Sequence, residues 1–213
     1  MLMPPIAPML ARPLPALPPA DRTPPLYQPK LDGFRALAFV RDGTVYLQSR
    51  GGADLSGAFP DVAAGGGQLV GEDVVFDGEL VVLSAEGRLD FGALQQRARR
   101  RGHTGAAAAA RHPAHLVVFD IFERRDRTLM RYPQHELWDV LAALFARRAL
   151  HAPWTLISCD RDRDRDRGER WTPSACARCT ASRTRRPGRR AARPGARSRP
   201  MACPAGRPGG TGR

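Results

Sequence analysis

The 213 residues suffice for one good-sized domain, and no stretch approaches the roughly 20 apolar residues of a membrane-spanning helix. The apolar opening from Met1 to Pro15 is broken by prolines and has no basic start, which speaks against a secretory signal. The formal charge of +13 is concentrated: residues 174–213 carry eleven Arg and no acid, leaving 23 basic against 21 acidic residues in 1–173, so the pI near 11.2 describes a tail.

In chain order, residues 1–25 form a Pro-rich lead-in, expected to pack on the domain that follows through Ile6, Met9 and Leu10. Phe34–Arg41 and Thr44–Ser49 are short β-type runs separated by Asp42-Gly43, which predicts a hairpin. Asp73–Leu83 is β-branched and apolar around Asp-Gly-Glu and reads as one strand or two. Asp90 is placed to cap a helix running to Arg100. Gly102–Ala110, with its run of alanines beside Gly and His, reads as a loop or low-complexity insert. His115–Phe122 predicts a buried strand.

Gln134–Arg148 is the clearest helix: Pro133 precedes it, and Leu137, Val140, Leu141, Leu144 and Phe145 recur at three- and four-residue spacing. A short strand is expected at Thr155–Ser158. Strand hairpins with interspersed helices argue for an α+β fold. The expected folded domain is 26–172, and 173–213 is expected to be a disordered Arg/Gly/Pro/Ala-rich tail. From Ser174 onward there is no Leu, Ile, Val, Phe, Tyr or Trp, so burial cannot offset the entropy of ordering.

Chemistry concentrates in Gln28-Pro29-Lys30-Leu31-Asp32-Gly33-Phe34-Arg35. Of 34 basic residues 33 are Arg, and Lys30 is the single lysine. A G+C-rich genome favours Arg codons, yet Arg cannot do what a lysine amine can: lose its proton and attack an electrophile. Nearby cations and partial burial lower a lysine's pKa. Arg35 is placed to supply such a charge and to bind phosphate or ribose, and Gly33 lets backbone approach a ligand closely. The plainer reading of the octapeptide is a surface Lys-Asp turn ahead of a strand. Other tempting features fade. Cys176-x-x-Cys179 has no second pair and no His after His151, so zinc is not expected, and the four Cys read as free thiols. The five His show no ligand spacing.

Lys30-x-Asp32-Gly33-x-Arg35 resembles the first motif of the covalent nucleotidyltransferases, and the chain is similar to the ATP-dependent DNA ligases of bacteria in particular. Four further elements follow in the family's order. Ser49-Arg50 resembles the next motif, Asp77-Gly78-Glu79-Leu80 the third, Phe91–Arg97 the helix after it, and Phe119-Asp120-Ile121 the element whose aromatic stacks on adenine. The opening PPIAPMLA is also typical of these ligases. The resemblance covers Pro4 to Trp171. It implies an adenylation domain with antiparallel sheets and flanking helices around a nucleotide cleft, here incomplete. It implies ATP and Mg²⁺ as cofactors and nicked double-stranded DNA as partner. Lys30 would be the nucleophile that takes AMP and passes it to a nick in repair or recombination. Gln28, Asp32, Gly33, Arg35, Arg50, Glu79 and Phe119 would bind ATP. Arg35 and Arg50 would steady ribose and phosphates, Glu79 would bind ribose or, through water, the metal, and Phe119 would stack on adenine. A cytoplasmic monomer, nucleoid-associated at most and without membrane contact, is expected.

The sequence departs from the family in two places. Many relatives carry Glu where Gln28 stands, and a Gln can still donate and accept hydrogen bonds to a base. More seriously, no lysine follows Lys30, so the later E-G-apolar-apolar-x-K and K-x-K motifs are missing, as is the oligonucleotide-binding-fold domain that normally follows. The resemblance stops just past Trp171, after the repeat Asp160–Arg167, a tract of the kind where replication slips. The expectation is a truncated or frameshifted chain with impaired activity. Two alternatives stay open: a non-catalytic nucleic-acid-binding remnant acting through its arginines, and an RNA ligase or capping-type transferase.

Overall fold

The Asp42-Gly43 pair turns the chain through φ of 45° and 73°, the left-handed pair that a two-residue hairpin needs. It joins β1 (Phe34–Arg41) to β2 (Thr44–Ser49) in antiparallel register, with Val40 opposite Val45. In the computed structural model, residues 1–11 and 26–159 are described. The Asp160–Arg167 repeat, both Cys of the Cys-x-x-Cys pair, residues 12–25 and the expected tail at 173–213 lie outside the described residues.

On its other edge β1 pairs with β3 (Val74–Val82), which sets Arg35 opposite Glu79 and Leu37 opposite Asp77. Every residue of β3 is buried. Its far edge meets β4 (Ala114–Arg124), again antiparallel, with bulges beside Phe76 and Gly78. A Cβ on Gly78 would stand 2.8 Å from the Val117 carbonyl oxygen, so only glycine lets the two strands approach this closely. The two-residue β5 (Arg127–Thr128) and the short β6 (Trp154–Leu156) both pair with β4, the latter in parallel. The sheet order is β2-β1-β3-β4-β5, with β6 beside β4. The α+β expectation holds, with the last strand starting one residue and ending two residues earlier than expected.

Helices cover one face: α1 (Pro60–Ala64), α2 (Phe91–Ala98), α3 (Gly102–Arg111) and α4 (Gln134–Arg148). The Asp90 Oδ1 accepts the Ala93 N–H at 2.8 Å and caps α2 as expected. Leu137, Leu141, Leu144 and Phe145 of α4 are buried, while Val140 sits at the margin. They join Ala36, Ala38, Val74 and Phe76 in the main core.

The stretch 102–110 corrects the sequence reading: it is α3, not a loop. Its alanines have the highest intrinsic helix propensity, and tertiary contact completes what propensity starts. Ala108 and Ala109 are buried, and a Cβ at Gly105 would meet the Gly57 carbonyl oxygen at 3.0 Å. The composition looked featureless because a helix packed this closely uses the smallest side chains on its contact face.

The second face of the sheet holds Leu37, Phe39, Val75 and Phe122 under a strap made of the first residues. Leu2 and Ile6 pack on this cluster, while Met9 and Leu10 stay exposed. Strap backbone is held by side chains. The Leu2 N–H donates to Glu123, the Leu2 carbonyl accepts from Arg41 at 3.0 Å, and Gln48 exchanges two bonds with Ile6 at 2.8 and 2.7 Å. Among the described residues no helix is long and apolar enough to cross a membrane.

Candidate functional site

The strap ends where the second face opens. Beyond Met9 its Leu10 and Ala11 line an open cavity of about 1130 Å³, somewhat above the roughly 300–1,000 Å³ usual for small-molecule sites. Its floor is the start of β1 and the middle of β3, which contribute Arg35 and Glu79. The end of β2 brings Ser49 and Arg50, and the loop before β1 brings Lys30 and Asp32. Phe34 and Phe91 form one wall, edge to face at 5.5 Å.

Lys30 is 42% exposed and its ammonium pairs with Asp32, itself 75% exposed, so the amine stands at the cavity surface within reach of a ligand. The loop that carries it is pressed against β3 at Gly33. A Cβ there would run into the Leu80 carbonyl oxygen and come within 2.9 Å of the Glu79 Cγ. Glycine at this position is therefore a steric requirement, and the close approach brings the Lys30 loop beside Glu79.

Arg35 is tied down. Its Nε and Nη2 donate to the two carboxylate oxygens of buried Asp77 at 2.9 and 2.6 Å, and its Nη1 donates to the Met9 carbonyl at 2.5 Å. The guanidinium lies 5.7 Å from the centroid of the Phe119 ring. Asp77 thus balances the charge that Arg35 was expected to offer Lys30, and two of the five guanidinium N–H groups remain for a ligand. Asp77→Asn removes that balance and one strong acceptor. It is expected to cost about 1–3 kcal/mol in urea unfolding with an unchanged denaturant slope.

The structure thus gathers Lys30, Asp32, Gly33, Arg35, Arg50 and Glu79 around one cavity. Phe119 and Gln28 are not among its lining residues. The Phe119 ring is only 5% exposed and sits under Arg35, so in this conformation it is not open to stack on a base from the cavity. Gln28 is also 5% exposed, and its buried Nε2 donor has no hydrogen-bond partner among the described residues. Such an orphan donor costs about 1–3 kcal/mol until an acceptor arrives. Sequence reasoning missed Asp77 as the anchor of Arg35. Only the β1–β3 register, which the fold decides, puts Asp77 and Glu79 on the face that Arg35 uses.

The ATP dependent DNA ligase domain matches residues 8–161. DNA ligase C1 of Mycolicibacterium smegmatis is 40% identical over 135 residues, 62% of this chain and 38% of that protein. DNA ligase C of Mycobacterium tuberculosis is 37% identical over 125 residues, 59% of this chain and 34% of that protein. Among solved structures, a mycobacterial DNA ligase D complexed with ATP and MES superposes with a TM-score of 0.58 at 26% identity. That superposition covers 72% of this chain and 46% of the other. The chain therefore spans a little over a third of the length of the curated relatives it matches.

Proposed function

Because the chain belongs to the ATP dependent DNA ligase domain family, we propose that it uses ATP to load AMP onto Lys30 for transfer to a nick in double-stranded DNA. The observation that carries this reading is the single lysine standing at the surface of a cavity shared with Arg35, Arg50 and Glu79. Lys30 gives up a proton to water. Its lone pair then forms an Nζ–P bond to the α-phosphorus of ATP as the bond to the bridging oxygen breaks, and pyrophosphate leaves with those electrons. Arg50 and the two spare N–H groups of Arg35 face the phosphates and ribose. The orphan Nε2 of Gln28 would gain an acceptor from the base, and Phe119 would stack on adenine once Arg35 shifts off its ring.

The donor set also suits Mg²⁺, which is commonly held by one or two carboxylates together with substrate phosphates. Among the described residues, Glu79 and Asp32 are the two carboxylates lining the cavity. When bound, the ion would offset charge on the transferring phosphate. A cytoplasmic monomer acting on DNA in repair or recombination is the simplest setting.

The reading is tested by incubating the chain with α-labelled ATP and Mg²⁺, denaturing it, and mapping the label by peptide mass spectrometry. AMP on the Lys30 peptide is expected. A folded chain that takes no label points to a remnant that only binds nucleic acid. Label from GTP in preference to ATP points to a capping-type enzyme.

A further inference from the structure

Between Asp90 and Asp120 the chain has no acidic residue and carries Arg97, Arg99, Arg100, Arg101 and Arg111. Arg97 is buried and neutralised by Asp61. The other four are exposed, and among the described residues none of them forms an ion pair. Among those residues Arg101 donates only to the carbonyls of Ala98 and Arg100. The opposite end of the sheet is built differently: Arg41 sits on Glu123, and Arg124, Arg125 and Arg147 converge on Glu72. Positive charge is compensated there and uncompensated at the junction of α2 and α3.

The position of the junction matters as much as its charge. Ala98, which immediately precedes the three arginines, lines the cavity together with Arg50. The Arg101 side chain packs on Gly57, its Cδ 3.1 Å from where a Cβ would sit. The triplet therefore continues the cavity mouth outward. Clustered guanidinium groups repel one another unless an anion lies across them. Duplex DNA offers one phosphate charge about every 1.7 Å of axis, and guanidinium groups bind phosphate in a two-pronged fashion.

We propose that Arg99, Arg100 and Arg101 form a rim that docks the phosphate backbone of duplex DNA beside the nucleotide cavity. The choice of DNA rests on the nick-joining function proposed above. The rim holds the backbone against the mouth, so that a strand end can reach the amine of Lys30, and it reads no sequence.

The test measures binding of the full chain to a nicked duplex by fluorescence anisotropy from about 50 to about 200 mM salt. The triple variant Arg99→Gln, Arg100→Gln, Arg101→Gln is expected to reduce the slope of log affinity against log salt by about 2–3. Because Arg101 also closes the end of α2, the double variant Arg99→Gln, Arg100→Gln keeps that contact and is expected to reduce the slope by about 2. Arg125→Gln, Arg127→Gln, Arg131→Gln removes equal charge at the far end of the sheet and is expected to leave the slope unchanged. The eleven Arg of residues 174–213 are common to every variant and cancel in the comparison. Equal slopes for the rim and far-end variants would overturn the proposal. So would a loss confined to duplex RNA with nicked DNA unaffected. An unlabelled Lys30 would remove the nucleotidyl-transfer reading and leave the salt slopes standing, so the two failures are distinct.

Discussion

Replacing Lys30 with Arg is expected to abolish covalent AMP labelling, a loss of about 10³-fold or more, while leaving the fold intact. The substitution keeps the positive charge, the reach and the partner Asp32. What it removes is an amine that can lose a proton and offer a lone pair, because a guanidinium stays protonated at any working pH. The position is exposed at 42% and pairs with the still more exposed Asp32. Changes at such sites usually alter stability by less than about 0.5 kcal/mol. Urea unfolding of wild type and variant should therefore superimpose while labelling disappears. Label that survives in Lys30→Arg would show that the nucleophile lies elsewhere, and with one lysine in the chain it would have to be a different residue type.

The largest effect on stability is expected at Arg97. Its guanidinium is almost completely buried and makes four bonds. Nη1 donates to Asp61 and to the His112 carbonyl, both at 2.8 Å, and Nη2 donates to Asp61 at 2.7 Å and to the Ala58 carbonyl at 3.0 Å. The plane also lies 5.0 Å from the Phe59 ring centroid. One side chain on α2 thereby ties together α1, the turn at Ser56–Ala58 and the link from α3 into β4. Arg97→Ala strands the Asp61 carboxylate, leaves two carbonyls short of a donor and opens a void. A loss of about 3–5 kcal/mol is expected in urea unfolding.

The pH dependence gives an independent check. Burial pushes the Asp61 carboxyl up, but the Arg97 hydrogen bonds, the Ala114 N–H and the Arg97 charge outweigh it and hold the group below its ordinary 3.8. A lowered folded value contributes stability at pH above the unfolded value and loses it as pH falls through the folded one. The gap between wild type and Arg97→Ala should therefore be full at neutral pH and narrow as pH falls below the ordinary 3.8 toward the lowered folded value at which Asp61 takes up its proton. A gap that stayed constant down to the acid limit would mean that the ion pair with Asp61 is not the source of the effect.

Local chemistry alone determined much of this protein. The Asp-Gly turn, the alternation along β1 and β2 and the spacing of Leu137 to Phe145 are short-range signals, and each produced the expected element within a residue or so. The single lysine in an Asp-Gly context singled out the loop proposed to carry the nucleophile, because that reading depends on which groups can act as nucleophiles and not on where they lie.

Tertiary structure decided the rest. The α3 helix needed the surface of Gly57 to dock on before its alanines meant anything. Arg97 and Asp77 could not be placed from sequence, because a buried charge is stable only when its partner arrives, and both partners lie more than thirty residues away in the chain. The same holds for Arg35 and Phe119. Their residue types suit a nucleotide, but only the packed sheet shows that the guanidinium is already held by Asp77 and covers the ring. A sequence reports what each group can do, and long-range pairing settles which groups remain free to do it.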